Sequence, residues 1–278
     1  MTSSVNASLE KPRRPSIGMI GVGAFGMFAV KHLSAHFRVV GFDPFADLQP
    51  LEARYSICSA SLPEAASCDF VVLSMPVKEL ANVVQNIRPY LRAGSVVLDV
   101  CSVKCGPAAI LKGLPSHVQV VGTHPLFGPQ SGKNGIEGLP IAIVPIRGTA
   151  YRIVAAFLRA QLKLRVEITT AENHDRQMAQ VQGLTHLISR ILLSMPLSPA
   201  SMTTTAFDHL KAMTELLCRD SDELFHAICA ENPYVKAVIR RFLDTSRNVG
   251  GRFCGDSEEE LLQSKAPKRT NLQPSCSE

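Results

Sequence analysis

Apolar and polar positions along the chain follow two different rhythms. In the first half, short apolar runs alternate with amphipathic stretches: IGMIGVG (17–23), RVVGFD (38–43), DFVVLSMP (69–76), SVVLDV (95–100), VQVVGT (118–123) and IAIVP (141–145). Runs this short predict strands, and DFVVLSMP is continuously apolar over Phe70–Leu73, as a strand covered on both faces must be. Between them, AFGMFAVKHLSAHF and VKELANVVQNIRPYL repeat their apolar residues at helical spacing. Strand alternating with helix predicts an α/β unit on a doubly wound, mainly parallel sheet.

After Arg147 the rhythm changes. YRIVAAFLRAQLKL is helical, VEIT reads as a last short strand, and AENHDRQMAQVQGLTHLISRILLSM predicts one long helix over 171–195. PLSPAS interrupts, and two or three further helices fill 203–247. The chain thus divides into a disordered lead (1–15), a sheet domain (16–148), an all-helical domain (149–249) and a disordered tail (250–278). The tail has few large apolar residues and carries an EEE run.

Composition narrows the function classes. With 278 residues, 46% hydrophobic and 19% charged, the chain can bury a sizeable core. No apolar run is long enough for a membrane span, and the opening MTSSVNASLEKPRRPS lacks the apolar stretch of a secretory signal, so a cytoplasmic protein is expected. The net charge of +5 is scattered; it suits anionic small molecules and is too diffuse for nucleic acid. Eight cysteines form no CxxC and no zinc-spaced cluster with histidine, so no metal site is expected. They read as reduced thiols, with the close pair Cys101 and Cys105 in a packing role.

Chemistry enters at two loops. Gly21-Val22-Gly23-Ala24-Phe25-Gly26 lies between the first strand and the first helix. There Gly21 allows a tight turn, Gly23 lets backbone approach a pyrophosphate, and Gly26 lets helix pack closely on strand, while the helix N-terminus meets negative charge. Asp43 ends the second strand, where a carboxylate can bind both ribose hydroxyls of NAD and would repel a 2′-phosphate. This context favours a Rossmann-type dinucleotide domain binding NAD, with NADP as the alternative; the bland reading is a glycine turn without ligand. Ser74, Met75 and Pro76 end the fourth strand and are placed along the nicotinamide ribose.

The second loop is THPLFGPQSGKNG (123–135), a lone histidine followed by a segment stiffened with proline and glycine. Ligands of open parallel sheets bind beyond the carboxyl ends of the strands, so Ser102 (after SVVLDV) and His124 are placed on the same edge as the glycine loop. His124 reads either as catalytic or as a loop histidine satisfied by backbone.

The combination of GxGxxG, DVCSVK (99–104), THPLFGPQSGK and HDRQMAQVQGLTH (174–186) resembles the prephenate/arogenate dehydrogenases of tyrosine biosynthesis, over about 17–249, with the histidine loop similar to the plant-type branch. The resemblance implies oxidative decarboxylation of a cyclohexadienol with hydride transfer to NAD(P). It implies a histidine, His124, that takes up charge or proton from the ring hydroxyl, and a serine, Ser102, that orients both. His186 would reach the substrate from the helical domain beside Gln182, with His174 and Asp175 structural at the helix start. Gln130, Ser131 and Lys133 of the histidine loop are further substrate-binding candidates. An arginine known in bacterial members is missing near Leu216, so the partner of a substrate carboxylate falls to Arg190 first, then Lys133 or Lys211. Neutral Gln130, where other members carry an acid, leans the reading to prephenate over arogenate. The resemblance also implies a homodimer formed by the helical domains, consistent with LISRILLSM being apolar on more than one face. A β-hydroxyacid dehydrogenase and a non-catalytic NAD-sensing protein are the competing readings.

Overall fold

The computed structural model describes residues 14–55, 57–196, 201–218 and 220–254. The expected lead, apart from Arg14 and Pro15, lies outside the described residues, as do the tail beyond Cys254 and most of PLSPAS.

Eight strands form one sheet in the order β3-β2-β1-β4-β5-β6-β7-β8. They are β1 (Ser16–Ile20), β2 (Arg38–Phe42), β3 (Cys58–Ser59), β4 (Phe70–Leu73), β5 (Val96–Asp99), β6 (Gln119–Pro125), β7 (Pro140–Arg147) and β8 (Arg165–Ile168). All neighbours run parallel except β6 and β7. The helices α1 (Ala24–Leu33), α2 (Gln49–Tyr55), α3 (Leu62–Ala66), α4 (Val77–Ile87) and α5 (Cys105–Leu111) connect the first six strands. Side chains alternate across the sheet: Ile17, Val72, Leu98 and Val121 join one apolar layer, while Val71, Leu73, Val97 and Val120 join the other. Each fully buried aliphatic contributes about 1.5–3 kcal/mol, so the uninterrupted runs in the sequence reflect cover on both faces.

The sheet continues past the change of rhythm at Arg147. Strand β7 returns antiparallel, α6 (Tyr151–Ala160) crosses over, and β8 pairs parallel to β7. Val154, Ala155 and Leu158 of α6 enter the same core as Ile17 and Val121. The sequence boundary after Gly148 therefore separates elements of one sheet. The helical pattern there is the last crossover, whose one-sided apolar face needs a sheet to cover it.

The helical half begins at Thr170, whose hydroxyl accepts from Asn173 N at 3.2 Å and caps α7 (Ala171–Met178). The expected single helix is interrupted by a π-helical turn, Ala179–Leu184, before α8 (Thr185–Ser194). There follow α9 (Thr205–Leu217), α10 (Asp222–His226), a second π turn (Ala227–Glu231) and α11 (Val235–Cys254). Because α11 runs to Cys254, the first residues of the expected tail are helical; Val249 and Phe253, one turn apart, extend its apolar stripe across Gly250 and Gly251. No helix among the described residues is long and apolar enough to cross a membrane.

Candidate functional site

At the carboxyl edge of the sheet, Gly21 adopts φ +89°, and a Cβ there would lie 2.3 Å from the Ser74 carbonyl oxygen. Both facts require glycine. A Cβ on Gly26 would lie 2.3 Å from the Gly21 oxygen, which is the close helix–strand contact the spacing predicts, whereas one on Gly23 would meet nothing within 4 Å. Helix α1 starts with no side-chain cap and no acid in its first turn. Its first amides are therefore available to an anion. Ser74 N donates to Ile20 O at 2.8 Å, so the segment Ser74-Met75-Pro76 abuts the glycine loop.

Asp43 follows β2 as expected, but its carboxylate also works within the chain. Oδ2 accepts from Val22 N at 2.7 Å, and Oδ1 accepts from Phe45 N and Ala46 N at 2.8 and 3.1 Å. Three of the roughly four acceptor positions of a carboxylate are thus taken. Asp43 holds the glycine loop in shape.

Strand β6 carries His124 through to Pro125, and Asp99 of β5 pairs with Gly122 in parallel register. Ser102, buried, lies just after β5, so the two neighbouring strand ends bring Ser102 and His124 to one edge. His124 is 5% exposed. Its Nδ1 lies 2.9 Å from Nε2 of His174, while Nε2 has no hydrogen-bond partner among the described residues. Burial first, then the neighbouring His174 ring and the Lys104 ammonium, hold its pKa well below the ordinary histidine value. It is therefore a neutral imidazole at physiological pH.

Behind His124 stands a buried polar cluster that the sequence motifs contain but spacing does not explain. His174 Nδ1 lies 2.7 Å from Asp175 Oδ1. The same carboxylate accepts from Lys104 N and Cys105 N, each at 2.8 Å, at the start of α5. Asp175 thus caps α5, a helix 70 residues away in sequence. Burial alone would raise its pKa, but the hydrogen bonds from His174, Cys105 and Lys104 outweigh burial and hold it below the ordinary carboxylate value. Asn232 Nδ2 donates to Asp175 O at 2.8 Å and ties in the second π turn. Lys104, fully buried, is ion-paired to Asp99, whose Oδ2 also accepts from Cys101 N at 3.1 Å. Gly122 leaves room for this pair: a Cβ there would lie 3.3 Å from Asp99 Oδ1. Burial raises the thiol pKa of Cys101, and that of Cys105 to about 12, so both are unreactive packing residues as expected. The available signal was the pairing of polar residues with apolar surroundings in DVCSVK and the HD dipeptide.

The other expected substrate residues are placed apart from this cluster. Gln130, Ser131 and Lys133 are exposed on the loop after β6, with Ser131 Oγ accepting from Gly128 N at 2.9 Å. On the helical side, His186 is buried, its Nδ1 2.8 Å from Gln182 O and its Nε2 3.1 Å from Asp220 Oδ2. The Gln182 side-chain oxygen is enclosed without a partner among the described residues. Arg190 pairs with Asp222 at 2.7 Å and lies over the Phe225 ring. In this arrangement both ring nitrogens of His186 and the guanidinium of Arg190 are occupied within the helical half. Lys211 is exposed on α9, 3.8 Å from Glu215.

Comparison with known proteins places this architecture. The family model described as prephenate dehydrogenase, nucleotide-binding domain, matches residues 37–177, which takes in both strand-end motifs and the HD pair and begins after the glycine loop. Arogenate dehydrogenase 1 and 2 of Arabidopsis thaliana, both chloroplastic, are each 27% identical over 97% and 96% of the chain. The chain spans 44% of the length of the first and 80% of the second. A 4-amino-4-deoxyprephenate dehydrogenase of Streptomyces pristinaespiralis is 31% identical over 63% of the chain and 62% of its own length. Among solved structures, prephenate dehydrogenase of Aquifex aeolicus, in complex with hydroxyphenyl propionate and NAD+, superposes with a TM-score of 0.68 at 22% identity, covering 92% of this chain and 96% of that one. Its fold is the one described above, and with the family match over half the chain it leads to one conclusion: the chain belongs to the prephenate/arogenate dehydrogenase family.

Proposed function

We propose that the chain oxidatively decarboxylates a cyclohexadienol of the prephenate type, using NAD. The observation that carries this reading is a buried neutral imidazole, His124, whose Nε2 is uncommitted at the same sheet edge as a phosphate-ready glycine loop. The glycine loop and the α1 N-terminus would hold the pyrophosphate, and Asp43 the adenosine ribose. Bound NAD supplies the hydride acceptor. Nε2 of His124 accepts a hydrogen bond from the ring hydroxyl as positive charge grows on the carbon losing its hydride, and Ser102 orients that hydroxyl. The bond to the departing carboxylate then gives its electron pair to the ring, which becomes aromatic. That gain makes the reaction one-way, so the chain's main tasks are positioning and exclusion of water.

Prephenate is the first choice of substrate, because Gln130 offers no charge for an ammonium. Arogenate is the second reading, favoured by the names of the two Arabidopsis relatives. Steady-state kinetics on both, read by reduced-nicotinamide absorbance, decides between them: a higher kcat/KM for arogenate overturns the first choice, and no turnover of either overturns the function. His124→Asn is expected to lower kcat by on the order of 100-fold or more while NAD affinity, read by calorimetry, survives. Asp43→Ser is expected to weaken NAD more than NADP, and an unchanged ratio refutes its role. For Arg190 and His186 to reach the substrate, their contacts to Asp222 and Asp220 must open on binding; Asp222→Asn would then lower KM. The helical half exposes Val181, Leu193, Phe207 and Leu216, which supports a homodimer through these faces, tested by sedimentation of the wild type and Leu216→Glu.

A further inference from the structure

We infer that Asp175 and His174 form a relay that fixes the proton arrangement of His124, so that His124 presents a bare Nε2 lone pair to its substrate. The inference rests on the reading above that His124 meets the ring hydroxyl. It follows from donor and acceptor counting across three side chains. The Asp175 carboxylate already accepts two backbone N–H bonds, from Lys104 and Cys105, and carries no proton of its own to give. The His174 nitrogen facing it at 2.7 Å, Nδ1, must therefore be the N–H donor. In a neutral ring that leaves His174 Nε2 as an acceptor. His124 Nδ1, 2.9 Å away, must then donate to it, and the remaining nitrogen of His124, Nε2, is left unprotonated. One carboxylate thus sets two tautomers in series.

The surroundings favour this arrangement over its reverse. His174 and Asp175 are 2% and 0% exposed, so water does not compete for these bonds. The charged groups near His124 are Lys104 at the start of α5, Asp99 on β5, and Asp175 on α7; Glu231 of the second π turn lies close enough to bear on Cys101. Asp99 is neutralised by Lys104, so Asp175 is the carboxylate aimed through His174 at His124. When the ring hydroxyl leans on Nε2 and charge develops on the His124 ring, the Nδ1–H bond to His174 strengthens and Asp175 stabilises the pair. No net proton leaves the chain in this step. His174 and Asp175 are positioning residues: they act through His124 and touch no reacting atom.

The primary test needs neither substrate nor cofactor. Nitrogen-15 imidazole spectra of the ligand-free protein at neutral pH are expected to show His124 protonated on Nδ1 and bare on Nε2. His174→Gln can still donate to Asp175 and accept from His124, so it should keep that tautomer; His174→Phe cannot, and should give the opposite tautomer or a mixture. A wild-type His124 protonated on Nε2, or a tautomer unmoved by His174→Phe in a protein with unchanged circular dichroism, overturns the relay. Kinetics supply the second readout. His174→Phe should lower kcat by on the order of 100-fold with KM little changed, and His174→Gln should recover about tenfold of that loss while moving the acidic limb of the kcat–pH profile. Equal activity of the two variants also overturns the relay. A wild type that turns over neither cyclohexadienol refutes the proposed function instead, and leaves the spectra to decide the tautomer.

Discussion

The sheet half and the helical half of this chain are stabilised by different means. Every residue of β1 and β5 is buried, and the sheet is covered by apolar layers on both faces. In the helical half, α9 and α10 bury no residue at all, and beside the apolar Ala179, Ile228 and Val235 the well-buried positions are polar: His174, Asp175, Ser189 and Asn232. The first half owes its shape to apolar area and is complete within one chain. The second is fastened to the first by a few buried hydrogen bonds at the Asp175 cluster and leaves apolar faces open. The chemistry proposed above sits where the two meet, because a polar cluster that joins two bodies is also where pKa values can be held away from their ordinary range.

The largest test of this contrast is Lys104→Met. Removing one member of a fully buried ion pair leaves Asp99 uncompensated, and a loss of about 3–5 kcal/mol is expected in urea unfolding; replacing Asp99 with Leu in the same chain should restore much of it. A loss below about 1 kcal/mol would show that the pair is not part of the core. In the helical half the comparable change is smaller. A Cβ on Gly183 would lie 2.8 Å from Val235, so Gly183→Ala is expected to cost about 1–3 kcal/mol by overpacking α11 against the π turn.

The pH response follows. Neutral His124 refuses a proton that the unfolded chain accepts, so stability is flat above about pH 6.5 and falls as pH drops below it, by at most about 1.4 kcal/mol per pH unit. Asp175 acts in a separate window. Its depressed pKa contributes stability that is present above the ordinary carboxylate range and lost as pH falls through its lower folded value. His124→Asn should flatten the first slope and leave the second, a difference measurable by thermal unfolding between about pH 3 and 8. Smallest is Thr170→Ala, which removes the α7 cap and should cost about 1 kcal/mol. If it costs nothing, the start of the helical half is held by the cluster alone.

The sequence pattern carried the sheet well and the seam poorly, for physical reasons. Apolar runs such as DFVVLSMP announce a doubly covered strand because burial dictates composition locally. The glycine loop is legible because φ +89° at Gly21 and the close approach at Gly26 leave no other residue possible. The place of His124 at the end of β6 is legible from its loop. Asp175 is not: its partners are the amides of Lys104 and Cys105, and no local periodicity reports a contact 70 residues away. The helical pattern after Arg147 misled about the boundary, since an amphipathic helix looks the same over a sheet as in a bundle. The two residues of β3 are too few for any period to register. His186 and Arg190 share a helix face as spacing says, yet their neighbours Asp220 and Asp222 decide what they hold.

The π turn at Ala179–Leu184 has a consequence for how the two histidines of this helix can evolve. It accommodates one residue more than an α-helical path would, and each residue turns an α-helix by about 100°. Deleting that extra residue would straighten the turn into an α-helical path and leave the flanking stretches in nearly their present phase. The same deletion inside the regular turns of α8, ahead of Arg190, would instead swing Arg190 by about 100° away from Asp222. The π turn is therefore the place where this helix can change its length by one residue without parting His186 from Asp220 or Arg190 from Asp222.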